Sequence, residues 1–281
     1  MTRTRNNLIT YERPAEGDWI QVWKQDRSFV TALGRGLEIL RCFCELTPEL
    51  SVSEIARMIS LPQPTTWRLC HTLMLLGYLV PAQGKEKLRI GTAVLALGHS
   101  ALPSVSSEDT LRPLLQKAAD RFHASVGIAD RNRLSMIYLL RCQSQPRIAM
   151  TGMRVGTRIE LHKSAIGWAY LVGLSKEARS SLLQQMKSQL GRQWPQVEKH
   201  ITSALQQHAN QGFVVNCGVL VPGLNTAAVP LHLPDGTLLA MNCSGPASLL
   251  PLSKLHQEIG PELLRLAGSL SKVLPSRAET L

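Results

Sequence analysis

The first part of the chain carries apolar residues at the spacing of amphipathic helices. From Phe29 onward they recur every three or four residues until Pro48, which predicts a first helix that ends before this proline. The side chains expected on its inward face are Leu33, Leu37, Leu40 and Cys44.

Two further helices are predicted before residue 77. Ser51 and Glu54 fit a capping box at the start of a second helix, which runs to about Ser60. The prolines in Leu61–Pro64 favour a turn that leads into a third helix, because proline is tolerated in the first turn of a helix but not inside it. We expect this third helix to run to Leu76, with Leu69, Leu73 and Leu76 inward, and to stop at Gly77.

A hairpin and a linker complete the first half. Two short β-prone runs, Tyr78–Val80 and Leu88–Ile90, flank a loop that holds Gly84 and two lysines. Helical spacing returns between Thr92 and Leu102, and the polar segment Pro103–Ser107 predicts a linker.

Beyond the linker, the pattern alternates between helical and β-prone segments, which is typical of helices packed on an antiparallel sheet. Helices are predicted near Asp109–His123, Ser164–Gly173, Lys176–Gln189, Pro195–Gln211 and Leu252–Val273. Strands are predicted at Ser125–Ala129, Leu134–Arg141, Arg147–Thr151, Phe213–Val219, Thr226–Leu233 and Thr237–Cys243. The expected fold is an α+β multidomain protein with an N-terminal winged helix-turn-helix, a linker helix and a C-terminal α/β domain whose sheet is largely antiparallel.

Three helices followed by a basic-tipped hairpin are the parts of a winged helix-turn-helix, in which the third helix enters the major groove of DNA. Arginine can bind guanine, glutamine can bind adenine, and threonine can contact phosphate or a thymine methyl group. The candidate DNA-binding residues are Ser53, Gln63, Pro64, Thr65, Thr66, Arg68, His71, Thr72, Lys85, Lys87 and Arg89. Periodicity alone is equally compatible with the ordinary polar face of a globular helix.

Composition narrows the possible classes of protein. The net charge of +11 suits a partner that carries phosphates, yet residues 1–100 contribute only +3 of it and residues 101–281 contribute +8. Net charge therefore does not locate a DNA site. The first residues contain no apolar stretch, so we expect a cytoplasmic protein that does not bind membranes. The cysteines lack ligand spacing, which favours reduced and mostly buried thiols.

Catalytic motifs are missing from the sequence. It has no Gly-x-Ser-x-Gly, P-loop, dinucleotide fingerprint or HExxH pattern, and its eight histidines are scattered. We therefore predict no catalytic residues, no metal and no cofactor. An enzyme, a scaffold or a small-molecule-binding protein without DNA affinity remains an alternative.

Several segments resemble the isocitrate lyase regulator (IclR) family of transcriptional regulators. In the first half they are Phe29–Leu40, Ser51–Ala56, Leu61–Leu69, Leu76–Leu79, Leu88–Thr92 and Leu95–Gly98. In the second half they are Leu161–His162, Gly167, Ala169, Gly212–Phe213, Gly223–Leu224, Ala227–Pro230 and Ser244–Pro246. Phe29–Val30 with Arg35–Leu37 most resembles regulators of aromatic-acid catabolism.

The resemblance implies an effector-binding C-terminal domain and a homodimer or dimer of dimers on pseudo-palindromic, double-stranded operator DNA. The expected function is a regulator of a catabolic operon whose operator binding or promoter activation responds to a small organic acid. RNA polymerase is a possible partner. We expect an aromatic carboxylate as effector, and an aliphatic keto or hydroxy acid is the alternative. The expected boundaries are an arm at 1–28, the DNA-binding domain at 29–91, the linker helix and linker at 92–107 and the effector domain at 108–275.

The resemblance also implies where the effector binds. The positions carried over are the main chain of Ala165 and Ile166 and the side chains of Asn216, Thr226, Asn242 and Ser244. The sequence departs from the family at Trp168, inside a Gly-Lys-Ala element, and at Asn216, near which an acid is common. Without that carboxylate an anionic ligand is repelled less, and an inward Trp168 would stack on a ring. These changes favour an aromatic carboxylate or dicarboxylate.

Basic residues near this motif are further candidates for binding the effector. Six arginines lie between Arg131 and Arg158, and guanidinium groups bind carboxylates through two parallel hydrogen bonds. A solvated or interface face is the expected role of most of them. Arg154, Arg158 and His162 are the candidates nearest in sequence to the pocket motif.

Overall fold

The computed structural model describes residues 27–44, 47–82, 86–101, 108–144 and 152–273. The chain divides into two compact units, and the division falls after Ser104, inside the predicted linker. Most of the predicted arm, the linker segment Pro103–Ser107 and the predicted strand Arg147–Thr151 lie outside the described residues.

The first unit is built from short helices and a small sheet. Its elements are α1 (Thr31–Arg41), β1 (Glu49–Leu50), α2 (Val52–Met58), α3 (Gln63–Leu75), β2 (Leu79–Pro81), β3 (Leu88–Ile90) and α4 (Ala93–Ala101). The strands form an antiparallel sheet in the order β1-β3-β2. The predicted helices and hairpin are confirmed, except that α1 ends at Arg41 and does not reach Cys44, which forms a β-bridge with Thr47. The two-residue strand β1 was not predicted.

Local sequence explains how α2 and α3 are placed. The capping box is present: the Ser51 N–H donates to Glu54 Oε2 at 2.7 Å, and the Glu54 N–H donates to Ser51 Oγ at 3.2 Å. The Ser51 N–H and the Ser51 hydroxyl both donate to the Glu54 carboxylate, and together with the charge of Lys87 they lower the pKa of Glu54. After α2 the chain turns at Ser60, whose φ of 53° is left-handed. Pro64 then lies in the first turn of α3.

The core of the first unit corrects the predicted inward faces. It consists of Ile39, Cys42, Leu50, Ile55, Cys70, Leu79 and Leu88. Leu33, Leu37 and Leu76 are 63%, 52% and 60% exposed, so their predicted burial was wrong, and Cys44 is exposed as well. The apolar stripe of α1 extends further along the helix than the contact of α1 with the core, because only the C-terminal end of the helix packs inward.

The second unit contains the remaining elements. The helices are α5 (Glu108–Phe122), α6 (Ala165–Gly173), α7 (Lys176–Leu190), α8 (Trp194–Gln211) and α9 (Gly260–Val273). The strands are β4 (Ser125–Asn132), β5 (Ser135–Gln143), β6 (Arg158–Glu160), β7 (Val214–Cys217), β8 (Leu224–His232) and β9 (Leu238–Pro246). A short 3-10 turn (Gly191–Gln193) precedes α8, and a helical turn (Leu252–Lys254) with a π-helical turn (Leu255–Ile259) precedes α9. Only β6 among these strands was not predicted.

The six strands form one antiparallel sheet in the order β6-β5-β4-β9-β8-β7, which agrees with the predicted fold class. Helices cover both faces. Met241 on β9 belongs to a core shared with α5 and α9, whereas its neighbour Ala240 belongs to a core shared with α6 and α8. We call this second side of the sheet the α6 face.

A β-bulge in β5 changes which residues reach the α6 face. Ile128 pairs with Leu140 and Ala129 pairs with Tyr138, so Leu139 is an extra residue on β5. The alternation of side chains therefore reverses at Leu139. Tyr138 and Arg141, three residues apart, lie on the same face, and the Arg141 guanidinium carbon is 4.7 Å from the centre of the Tyr138 ring.

Candidate functional site

The outward surface of α3 carries most of the predicted DNA-binding side chains. Gln63, Pro64, Arg68, His71 and Thr72 are exposed, and Thr65 is half-buried. The helix contains no acidic residue. Arg68 forms no ion pair within the described residues, so its guanidinium is available to a base edge or a phosphate.

Thr66 does not belong to this surface. Its side chain is fully buried, and its hydroxyl donates to the Pro62 carbonyl at 3.1 Å. The neighbouring Trp67 was not predicted as a contact, yet it is 52% exposed and stacks on the His71 ring at 5.0 Å. An aromatic pair therefore flanks Arg68.

The other predicted DNA contacts lie on α2 and the hairpin. Ser53 in the first turn of α2 and Arg89 on β3 are exposed. Lys87 is less available, because its ammonium group lies 3.7 Å from Glu54. Lys85 lies outside the described residues.

A cavity opens on the α6 face of the second unit. The space in and around it, counted together with the solvent at its mouth, is about 320 Å³. The lining residues are Tyr138, Met153, Ile159, Ser164, Ala165, Ile166, Asn216, Leu220, Leu224, Thr226, Asn242 and Ser244. All six pocket positions carried over from the family are among them, and none of the lining side chains is charged.

The N-terminal end of α6 forms one wall of the cavity. Ser164 caps the helix, since its hydroxyl accepts from the Gly167 N–H at 3.2 Å and donates to the Glu160 carbonyl at 2.8 Å. Gly167 is required there, because a Cβ at this position would lie 2.1 Å from the Leu161 carbonyl oxygen. The N–H groups of Ala165 and Ile166 in this first turn carry the positive end of the helix dipole.

Polar side chains on the sheet side of the cavity differ in how far they are engaged. The Asn216 Nδ2 donates to the Lys163 carbonyl at 2.7 Å, and its Oδ1 accepts from the Val219 N–H at 3.1 Å. Asn242 is bonded to the Tyr138 hydroxyl, accepting at 3.2 Å and donating at 3.0 Å.

The two remaining polar residues, Thr226 and Ser244, face each other across β8 and β9. Their hydroxyls have no hydrogen-bond partner among the described residues. Both hydroxyls are therefore available to a ligand.

Four predicted effector contacts do not line the cavity. Trp168 is buried in the core beside α8, where its N–H donates to the His162 carbonyl at 2.9 Å and its ring lies 5.6 Å from His200. His162 is buried, and burial lowers its pKa. Arg154 and Arg158 are exposed, and Arg158 points away from the cavity because its neighbour Ile159 on β6 lines it.

Several lining residues were missed by sequence reasoning. Tyr138, Met153, Ile159, Leu220 and Leu224 come from separate segments that only the folded sheet brings together. Ser164 could have been found as a helix cap, because it directly precedes the apolar run of α6.

The cysteines and histidines give no sign of a redox or metal centre in the part of the chain that is described. All six cysteines are described, and none forms a disulfide. Burial raises the pKa of Cys70 to about 11 and that of Cys243 to about 12, so both thiols stay protonated. No group of histidine, cysteine and acidic residues there could hold a metal ion, and no described helix combines the length and apolarity needed to cross a bilayer.

Comparison with known families identifies both units. Residues 32–82 match the IclR helix-turn-helix domain, and residues 99–272 match the C-terminal domain of the bacterial transcriptional regulator IclR. The chain belongs to the IclR family. It is therefore a DNA-binding transcriptional regulator, and this family does not consist of enzymes.

Relatives within the IclR family share most of the chain. The regulator TsaQ1/TsaQ2 of Comamonas testosteroni is 31% identical over 251 residues, 88% of this chain and 89% of that protein. The Pca regulon regulatory protein of Pseudomonas putida is 27% identical over 254 residues, 89% of this chain and 86% of its own. These relatives support the predicted resemblance to regulators of aromatic catabolism.

Solved structures agree with this IclR-family fold. An IclR-family regulator from Brucella abortus superposes with a TM-score of 0.83 at 35% identity, covering 89% of this chain and 94% of that one. An IclR homologue from Microbacterium hydrocarbonoxydans, complexed with 4-hydroxybenzoate, has a TM-score of 0.63 at 19% identity and covers 86% of this chain and 99% of that one.

Proposed function

We propose that this regulator binds an aromatic carboxylate in the α6-face cavity and that binding changes its affinity for the operator of a catabolic operon. The observation that carries the proposal is the composition of the cavity. Apolar side chains such as Met153, Ile159 and Leu220 line it together with the N-terminal turn of α6, and no acidic group does. Apolar walls with a few convergent polar groups are the usual form of a small-ligand site.

The carboxylate and the ring have separate places in this cavity. A helix N-terminus attracts anions through its N–H groups and its dipole, so the carboxylate lies at Ala165 and Ile166. The hydroxyls of Thr226 and Ser244 bind further polar substituents, while the apolar side chains cover the ring. The Microbacterium homologue supports this class of ligand, since the same fold binds 4-hydroxybenzoate there.

Calorimetric titration of the full-length protein tests the effector class. We expect benzoate and 4-hydroxybenzoate to bind about tenfold or more tightly than pyruvate and glycolate, because only the aromatic acids bury a ring. Ser244→Ala should weaken 4-hydroxybenzoate, whereas Ser180→Ala, which removes an exposed hydroxyl on α7, should not. Tighter binding of the aliphatic acids would reject the aromatic effector.

The proposed DNA complex contains a homodimer, or a dimer of dimers, on a pseudo-palindromic operator. The first unit exposes Val30 just before α1, Leu33 and Leu37 on α1, and Leu95 and Leu97 on α4. Exposed apolar side chains in such number are typical of an interaction surface. A two-fold dimer places two copies of α3 on symmetric half-sites in the cytoplasm, where RNA polymerase is the further partner. Sedimentation of a monomer at micromolar concentration would contradict the dimer.

A further inference from the structure

Arg141 on the α6 face is half-buried, and the fold leaves part of its hydrogen-bonding capacity unused. The Nε and Nη1 groups of Arg141 are both buried, and neither has a hydrogen-bond acceptor within the described residues. The guanidinium carbon lies over the Tyr138 ring, 4.7 Å from its centre, which favours the positive charge but does not supply the oxygen acceptors that these N–H groups lack. Leaving buried donors of a charged group without acceptors is unfavourable.

The strand register places Arg141 beside the proposed effector site. Arg141 pairs with Gly127 on β4, and Gly127 pairs with Asn242 on β9, so all three lie in one row across the sheet. Gly127 has no side chain to separate the other two. The Tyr138 ring instead lies over Gly127, where a Cβ would come within 2.7 Å of it, and its hydroxyl reaches Asn242. Arg141 therefore packs on the outer side of a residue that lines the cavity.

A second cavity lies at the next row of the sheet beyond Arg141. The space in and around it, counted together with the solvent at its mouth, is about 210 Å³, and its lining includes Ser125, Gln143 and Ser244. Ser125 pairs with both Gln143 and Ser244, which makes these residues the next row of the same face. Ser244 borders both cavities. By strand register Arg141 lies in the row of Asn242 and next to the row of Ser244, although it is not itself part of either cavity lining, and no acidic side chain lines either cavity.

We propose that Arg141 binds a second acidic group of the effector, so that the natural ligand is an aromatic acid with two anionic groups. One group lies at the N-terminal turn of α6, and the other forms paired hydrogen bonds with the Arg141 guanidinium. The inference rests on the proposed function for the position of the first group and the ring. It adds two points to that function: the effector carries two anionic groups, and Arg141 selects for the second group.

The test compares one-charge and two-charge ligands on matched variants of the full-length protein. Benzoate and terephthalate, which is benzene-1,4-dicarboxylate, are titrated into the wild type, Arg141→Met, Arg141→Lys and Arg154→Met. Arg154→Met makes the same chemical change at an exposed arginine outside both cavities.

We expect the wild type to bind terephthalate about tenfold more tightly than benzoate, and Arg141→Met to remove this preference while changing benzoate affinity less than about threefold. Arg141→Lys, which keeps the charge but loses the planar fork, should restore part of the preference, and Arg154→Met should retain all of it. Without ligand, Arg141→Met should melt no lower than the wild type, because it removes donors that lack acceptors.

Two other outcomes would overturn the inference, and they can be distinguished from each other. If aromatic acids bind but Arg141→Met weakens both ligands equally or neither, the role of Arg141 is wrong while the aromatic effector stands. If pyruvate or glycolate binds and neither aromatic acid does, the proposed function fails and this inference fails with it.

Discussion

The outward face of α3 and the cavity beside α6 both carry polar side chains, but those on α3 are exposed and those at the cavity are buried. On α3, Arg68 and His71 extend into solvent, and Thr72 is exposed although its hydroxyl donates to the Arg68 carbonyl at 3.0 Å. Around the cavity, Asn216 and Asn242 are buried and already bonded to other parts of the chain. The first surface is open to solvent, whereas the polar side chains of the second are held in place by the fold.

This difference determines how each region tolerates change. A side chain on the α3 surface can be removed without disturbing the fold, because few atoms of the protein touch it. A change beside the cavity, where α6 packs on the sheet, disturbs closely packed atoms. The following predictions test this contrast, beginning with the largest expected effect.

The largest effect is expected at Gly167. Gly167→Ala places a Cβ 2.1 Å from the Leu161 carbonyl oxygen, so α6 must move away from the segment that precedes it. We expect a loss of about 3 kcal/mol in the free energy of unfolding of the second unit, measured by urea denaturation. Gly268→Ala is the control, because a Cβ on this α9 residue meets no atom within 4 Å and should stabilise the helix slightly. Equal effects of the two changes would show that α6 is not tightly packed.

Arg68→Ala should affect DNA binding alone. Loss of its contacts is expected to weaken binding by about 1–3 kcal/mol in a mobility-shift titration on duplexes selected from a random library. Stability and effector affinity should not change, since the side chain is exposed. Arg192→Ala removes the same charge from an exposed position in the second unit and should change operator affinity far less. A matching loss for Arg192→Ala would attribute binding to net charge instead of α3.

The two adjacent threonines of α3 give a finer test. Thr65→Val removes a hydroxyl from the outward side and should lower operator affinity by about 1 kcal/mol. Thr66→Val removes a buried hydroxyl bonded to Pro62, so it should lower stability by about that amount and leave the operator affinity of the folded protein unchanged. Fluorescence anisotropy and thermal melting measure the two quantities separately. The opposite result would mean that α3 presents a different face to DNA.

The smallest effect concerns Glu54 and depends on pH. Its folded-state pKa lies below the ordinary value of 4.5, so its stabilisation of α2 is present above pH 4.5 and is lost as the pH falls through the lowered pKa. Glu54→Gln should therefore melt below the wild type at pH 7, with the gap closing in acid. A gap that stays constant down to pH 3 would assign the difference to packing and not to charge.

Much of the fold was predictable, because helix spacing and cap residues act over a few neighbouring positions. The Ser51 capping box is confirmed, and Ala165 and Ile166, which were predicted as effector contacts, line the cavity. Errors arose where burial depends on distant partners, as at Leu33, which faces inward by its spacing but meets no core.

The site was less predictable than the fold for the same reason. Strict alternation along β5 places Arg141 on the opposite face from Tyr138, and only the bulge at Leu139 brings them together. Trp168 was expected in the cavity, yet α6 turns it toward α8. Neither the bulge nor the rotation of α6 leaves a signal in the local sequence.

The hydrogen bond of Asn216 ties the edge strand β7 to the segment before α6, which limits what can replace this residue. Its amide donates to the Lys163 carbonyl, so an aspartate at this position would set two oxygen atoms against each other at 2.7 Å. Replacing Asn216 by aspartate is therefore not a neutral change in this chain. The side chain at position 216 and the path of the backbone at Lys163 are therefore coupled, so that an acid at one requires a rearrangement at the other.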